Sequence, residues 1–180
     1  MSITICESGL CFGEFEETDL FHIEKSSLYK SLEKKVQGVK TVEFILYRKK
    51  DRYEEILLVE AKSSSPHPSN NEVDFDVFID EIYLTFTHSI DLFFAIILKR
   101  LKDGCNEVPN IFKIADYSVA KIKMILVISG HKIEWLPPLS EALRKKFKRI
   151  RETWGIEIIP INHEQAQQYG LVKTIWRQCT

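Results

Sequence analysis

Leu57-Leu58-Val59-Glu60-Ala61-Lys62 is an apolar run that ends in a carboxylate and an ammonium two residues apart. Side chains two apart in a β-strand point to the same face, so Glu60 and Lys62 project together from the strand's end. The preceding apolar stretch, Thr41-Val42-Glu43-Phe44-Ile45-Leu46-Tyr47, carries a second carboxylate, Glu43. Strand-like runs over 40–49 and 53–63 are joined by the polar turn Lys50-Asp51-Arg52. A hairpin symmetric about the Asp51/Arg52 peptide sets Lys50 against Tyr53 and Glu43 against Glu60, and a bulge would shift that register. Like charges directly opposed destabilise an antiparallel pair. A chain that keeps both carboxylates there invites a cation as the explanation.

Working outward, Ile23, Leu28, Leu32 and Val36 follow helical spacing, which predicts a helix from His22 to Gln37 stopped by Gly38. Ser63 to Asn71 reads as a loop, and a long helix follows from about Val73 to Lys102, ended by Asp103-Gly104. Met124-Ile125-Leu126-Val127-Ile128 lacks alternation and reads as a strand buried on both faces, as in a parallel sheet. Leu136, Leu139, Leu143, Phe147, Ile150 and Trp154 mark an amphipathic helix that Gly155 terminates, and 156–161 returns as a strand. Strand, helix and strand in that order imply a right-handed parallel crossover. Residues 1–20 are acidic and are expected to be an irregular lead-in, with a core over 21–162 and a C-terminal appendage over 163–180, all in one domain of 180 residues. The fold class is α/β, a mixed central sheet with an antiparallel acidic hairpin flanked by helices.

Hydrophobic content of 44% and charged content of 28% suit a globular protein, and a net charge of −1 gives no whole-molecule pull toward polyanions. Any nucleic-acid binding must come from a local patch. Cys6, Cys11, Cys105 and Cys179 form no CxxC pair and no zinc-like spacing, so free thiols in a reducing cytoplasm are expected. The apolar run Leu92 to Leu98 is far short of the ~20 residues a membrane span needs, and no membrane association is expected.

The element order, with Glu43 in one strand and Glu60-Ala61-Lys62 closing the next, resembles the PD-(D/E)XK, or restriction-endonuclease-like, nuclease superfamily over roughly residues 20–130. The resemblance implies that Glu43 takes the place of the first acid, Glu60 of the second, and Lys62 of the lysine. It also implies a metal held by Glu43, Glu60 and the main-chain carbonyl of Ala61, with Glu24 of the first helix completing the site. No proline precedes Glu43, and glutamate stands where aspartate is usual. The chemistry is coherent on its own terms: Mg²⁺, with Mn²⁺ as substitute, takes oxygen ligands, polarises a phosphate and lowers the pKa of bound water. Lys62 beside anions suits a positioning and electrostatic role better than that of a general base. The implied activity is metal-dependent cleavage of nucleic acid, with DNA expected, in a defence, restriction or mobile-element setting.

Arg144, Lys145, Lys148 and Arg151 crowd the polar side of the 139–154 helix and are candidates for tracking a phosphate backbone, although a charged outer face is the default for such a helix. Arg48, Lys49, Lys50 and Arg52 are a second candidate phosphate contact. Cutting both strands needs two sites, so a homodimer or a partner protein of a multi-component system is expected. Two rivals remain from the residues alone. Glu43, Glu60 and Lys62 can form a salt-bridged surface on a solvated sheet face, and the chain can be a catalytically inactive nuclease-fold binding or partner subunit. A Rossmann-type enzyme is disfavoured, because no Gly-rich phosphate loop follows any strand.

Overall fold

The computed structural model describes residues 1–101 and 106–174. Its centre is a five-stranded mixed sheet of β3 (Leu20–Phe21), β4 (Phe44–Lys49), β5 (Glu54–Lys62), β6 (Lys121–Ile128) and β7 (Glu157–Asn162), in that spatial order. β4 runs antiparallel to β3 and β5, whereas β5, β6 and β7 are mutually parallel. The β4–β5 register is the expected one from Lys49↔Glu54 to Phe44↔Val59, and the Lys50 N–H donates to the Tyr53 carbonyl at 2.9 Å. It then breaks. The Glu43 N–H donates to the Val59 carbonyl at 3.1 Å, one residue short of Glu60, and Glu43 lies just outside the paired strand.

The two faces of the sheet carry different cores. Ile45, Tyr47, Ile56, Leu58, Met124 and Leu126 pack against the helical layer. That layer holds α1 (Ser27–Lys35), α2 (Glu72–Ile97), α3 (Asn110–Ile114), α4 (Leu136–Lys146) and α5 (Lys148–Trp154). The 26-residue α2 is the crossover from β5 to β6, and Asn71 caps it by accepting from the Asp74 N–H at 3.1 Å. α4 and α5 make the expected crossover to β7 as two pieces that meet at Phe147, and Gly155 ends the second in a left-handed conformation, φ 64°.

Phe44, Leu46, Leu57, Val59, Ala61, Ile125 and Val127 face the other way. This face is covered by an N-terminal hairpin, β1 (Ser2–Glu7) and β2 (Leu10–Glu16), and by α6 (His163–Gln168) with β8 (Val172–Thr174), which pairs with β2 in a second sheet. Residues 1–20 are therefore not an irregular lead-in. Leu10, Phe12 and Phe15 are buried while Glu7, Glu14 and Glu16 face solvent, so acidic composition hid a strand. The register of β1 and β2 shifts between Ile3 and Ile5, opposite Gly13. At φ 123°, a Cβ on Gly13 would lie 2.7 Å from the Ile3 carbonyl oxygen, so this bulge requires glycine. The segment from His163 is not an appendage either, since Ala166, Leu171 and Val172 belong to the buried core.

Three further expectations are corrected. The first helix begins at Ser27, because Ser26 caps it by accepting from the Tyr29 N–H at 3.1 Å. Glu24 thus sits in a separate 3₁₀ turn, Ile23–Lys25. Cys6 and Cys11 are not free thiols: hairpin pairing sets them opposite each other, 4.1 Å apart at Cα, and they form a disulfide. The long helix, expected to run to Lys102, ends at Ile97, with Leu98 as its cap and Lys99 in a left-handed conformation, φ 58°. Cys105, Cys179 and Asp103-Gly104 lie outside the described residues. Among those described, no helix is long and apolar enough to cross a membrane.

Candidate active site

Glu60 is 3% exposed at the end of β5, on the face that α2 covers. Lys62, two residues on, brings its Nζ to 2.9 Å from Glu60 Oε1 and 3.9 Å from Glu81 Oε1 of α2. Lys40 reaches the same Glu81 oxygen at 2.7 Å. The result is an alternating chain of charges, Glu60, Lys62, Glu81 and Lys40, beneath the sheet's end. Burial is the largest influence on Glu60 and pushes its carboxyl up to about 7; Lys62 pulls it back, and the carboxylates of Glu24 and Glu81 add to the rise. Burial acts to lower the Lys62 ammonium, but Glu60, Glu81 and Glu43 outweigh it, so Lys62 stays above the ordinary lysine value. A hydrogen bond from Lys40 holds the Glu81 carboxyl below its usual range, against partial burial and with help from Lys62.

α2 also sets the position of Glu43. Its buried Ser89 accepts from the Val42 N–H at 2.8 Å and donates to the Thr85 carbonyl at 2.7 Å. His88 Nδ1 accepts from the Lys40 N–H at 3.2 Å, which gives this histidine a role in holding backbone. Residues 40–42 are thereby tied to the helix, and half-buried Glu43 emerges where β4 starts. Its carboxyl is pushed up to about 8 by burial first, then by the charges of Glu60, Glu24 and Glu7, with a hydrogen-bond contact to Glu24 adding to the effect. Glu24 itself is exposed.

The carbonyl of Ala61 accepts a hydrogen bond from Ser8 Oγ at 3.1 Å, and Ala61 is 2% exposed. Among the described residues, no group of three or more His, Cys, Asp or Glu side chains is arranged to hold a metal ion. Glu24, Glu43 and Glu60 therefore do not form a three-carboxylate cage.

No protein-family model matches the chain, and no curated protein matches it. Among solved structures, restriction endonuclease FokI aligns over 75% of this chain at 17% identity with a TM-score of 0.40. The chain spans 20% of that protein's length, and a likeness at this level carries no functional argument.

Arg144 and Lys145 on α4 and Lys148 on α5 are exposed, and Arg151 is half-buried. Among the described residues no ion pair or hydrogen bond joins them to Glu43, Glu60 or Lys62. The helix pair meets α2 through Lys146 Nζ and Asp80 Oδ1 at 2.5 Å, one residue from Glu81. Arg48 is not a free phosphate contact, since its guanidinium donates to the carbonyls of Tyr169 and Gly170 at 2.8 and 2.6 Å and anchors the C-terminal segment.

Sequence reasoning missed Glu81, Lys40, Glu7 and Ser8. For Glu81 a signal existed: it lies three residues after buried Phe78 and four before buried Thr85, on the border of the helix's inward stripe. For Lys40 and the hairpin tip the contacts are long-range, and no local pattern announces them.

Proposed function

We propose that this chain is a divalent-cation-dependent hydrolase of phosphodiester bonds with DNA as its substrate, built on a restriction-endonuclease-like fold. The observation that carries the reading is the burial of Glu60, its carboxyl raised to about 7, against Lys62 and the similarly raised Glu43. Crowding acids in a desolvated place costs stability, and such arrangements concentrate at functional sites. A salt bridge on a solvated sheet face is disfavoured, because α2 covers that face and Glu60 is withdrawn from water.

The donor set fits a hard cation. Mg²⁺ uses one or two carboxylates and completes its shell with water and substrate oxygens, which Glu43, Glu60 and the Ala61 carbonyl can supply without a third carboxylate. When bound, it would polarise a phosphate oxygen and lower the pKa of a water. Glu43 and Glu60 would bind it as carboxylates, against the burial that opposes their ionisation. Lys62, held protonated by its acidic neighbours, would neutralise charge on a phosphate oxygen and orient the attacking water. Its acidic neighbours hold its ammonium above the ordinary lysine value, which disfavours a role as general base. Glu81, tethered by Lys40, steadies the Lys62 ammonium.

The test is cleavage of plasmid, single-stranded DNA and RNA with Mg²⁺ or Mn²⁺. Glu60→Gln and Lys62→Ala should each lower the rate by a factor on the order of 100 or more while the far-ultraviolet dichroism stays unchanged. Undiminished cleavage by both variants rejects the site, and no cleavage of any substrate favours a binding or partner subunit.

A further inference from the structure

We propose that Ser8, at the tip of the N-terminal hairpin, is a positioning residue of this site that aims the Ala61 carbonyl at the cation; this rests on the cation reading above. β1 and β2 pair up to Glu7↔Leu10, leaving Ser8 and Gly9 as a two-residue turn. Both have positive φ, 52° and 78°. Turns of this kind suit the strand twist and favour Asn or Gly at the first position, whereas serine takes a left-handed conformation reluctantly. A residue held in a disfavoured conformation invites the question of what its side chain does there. Here Ser8 Oγ donates at 3.1 Å to the carbonyl of Ala61, 53 residues away and between the acid and the lysine of β5.

Two neighbouring features hold the turn at that contact. The Cys6–Cys11 disulfide crosslinks the strand pair immediately behind the turn. Gly9 lies on the loop after β6, where a Cβ would be 3.8 Å from Ser129 Oγ, and Ser129 Oγ in turn donates to the Ser63 carbonyl at 3.3 Å. Strand carbonyls two apart point the same way. The Val59 carbonyl is taken by Glu43, so the Ala61 carbonyl points to the same edge, beyond the start of β4. There Ser8 replaces the missing strand partner. A carbonyl oxygen has two lone pairs. Ser8 engages one, and the other is assigned to the cation.

Groups that orient metal ligands typically affect metal affinity by factors of about 10–100 when removed. The test measures Mn²⁺ binding by electron paramagnetic resonance, without nucleic acid, for the unaltered chain, Ser8→Gly, Ser8→Asn and Glu60→Gln. Ser8→Gly relaxes the turn but removes the hydroxyl, and should weaken Mn²⁺ binding about tenfold without lowering the unfolding temperature. Ser8→Asn suits the left-handed position and carries an amide donor, and should restore much of the affinity. If Glu60→Gln abolishes binding while Ser8→Gly binds as tightly as the unaltered chain, the role of Ser8 is overturned and the cation site stands. If the unaltered chain binds no Mn²⁺, both are overturned together.

Discussion

Glu43 is a carboxyl group in surroundings that oppose its ionisation, which gives the cation-free protein a definite pH dependence. Its carboxyl is raised to about 8 by burial and by the Glu60, Glu24 and Glu7 charges. The folded chain therefore holds this proton more tightly than the unfolded chain does. The stability gained from the proton is complete below the ordinary carboxylate range and is lost as pH rises from about 5 through about 8. Glu43→Gln removes the penalty. In chelator, by urea unfolding, it should be more stable than the unaltered chain at about pH 9, by on the order of 1–2 kcal/mol once partial exposure is allowed for. At about pH 5 the advantage should vanish, and parallel profiles for the two proteins would show that the crowding is not felt. The pairing of Glu60 with Lys62 could be read from sequence because a strand's period of two puts them on one face. The helix expected at Glu24 was misplaced because Ser26 caps the helix only after it, which leaves Glu24 in an exposed turn beside Glu43.

At the scale of elements, α2 is both the crossover helix and the jig for the site. Its Ser89 hydroxyl bonds the Val42 N–H and the Thr85 carbonyl in a fully buried position. Ser89→Ala strands that N–H without water, and should cost about 1–3 kcal/mol in unfolding free energy. It should also weaken Mn²⁺ binding, since residues 40–43 lose their tether. A loss below about 0.5 kcal/mol, within the range of ordinary surface changes, would mean that water reaches the gap. The β4–β5 register was legible because a short polar turn and an unbroken apolar pairing leave little freedom. Its break at Glu43 was not, because that break depends on how α2 holds residues 40–42. The N-terminal strands escaped notice for a different reason: acids on their outward positions and a bulge at Gly13 mask the alternation of Leu10, Phe12 and Phe15.

At the scale of the whole molecule, the five-stranded sheet lies between a helical layer and the small sheet of β1, β2 and β8, with the acidic cluster at the end where both layers meet it. The central sheet and its parallel crossover were legible because contiguous apolar runs and helical spacing are local signals. The second layer joins residues more than 150 apart, Cys11 with Thr174, and no local signal carries such a pairing. The placement of Ser8 on Ala61 and of Glu7 near Glu43 follows from that layer. The most direct measurement is anomalous diffraction from crystals soaked in Mn²⁺ at about pH 8.5, above the raised carboxyls so that both can ionise. A single strong peak is expected ~2.1 Å from oxygens of Glu43, Glu60 and the Ala61 carbonyl. Absence of a peak there, with Glu60 still closed on Lys62, would contradict the cation site.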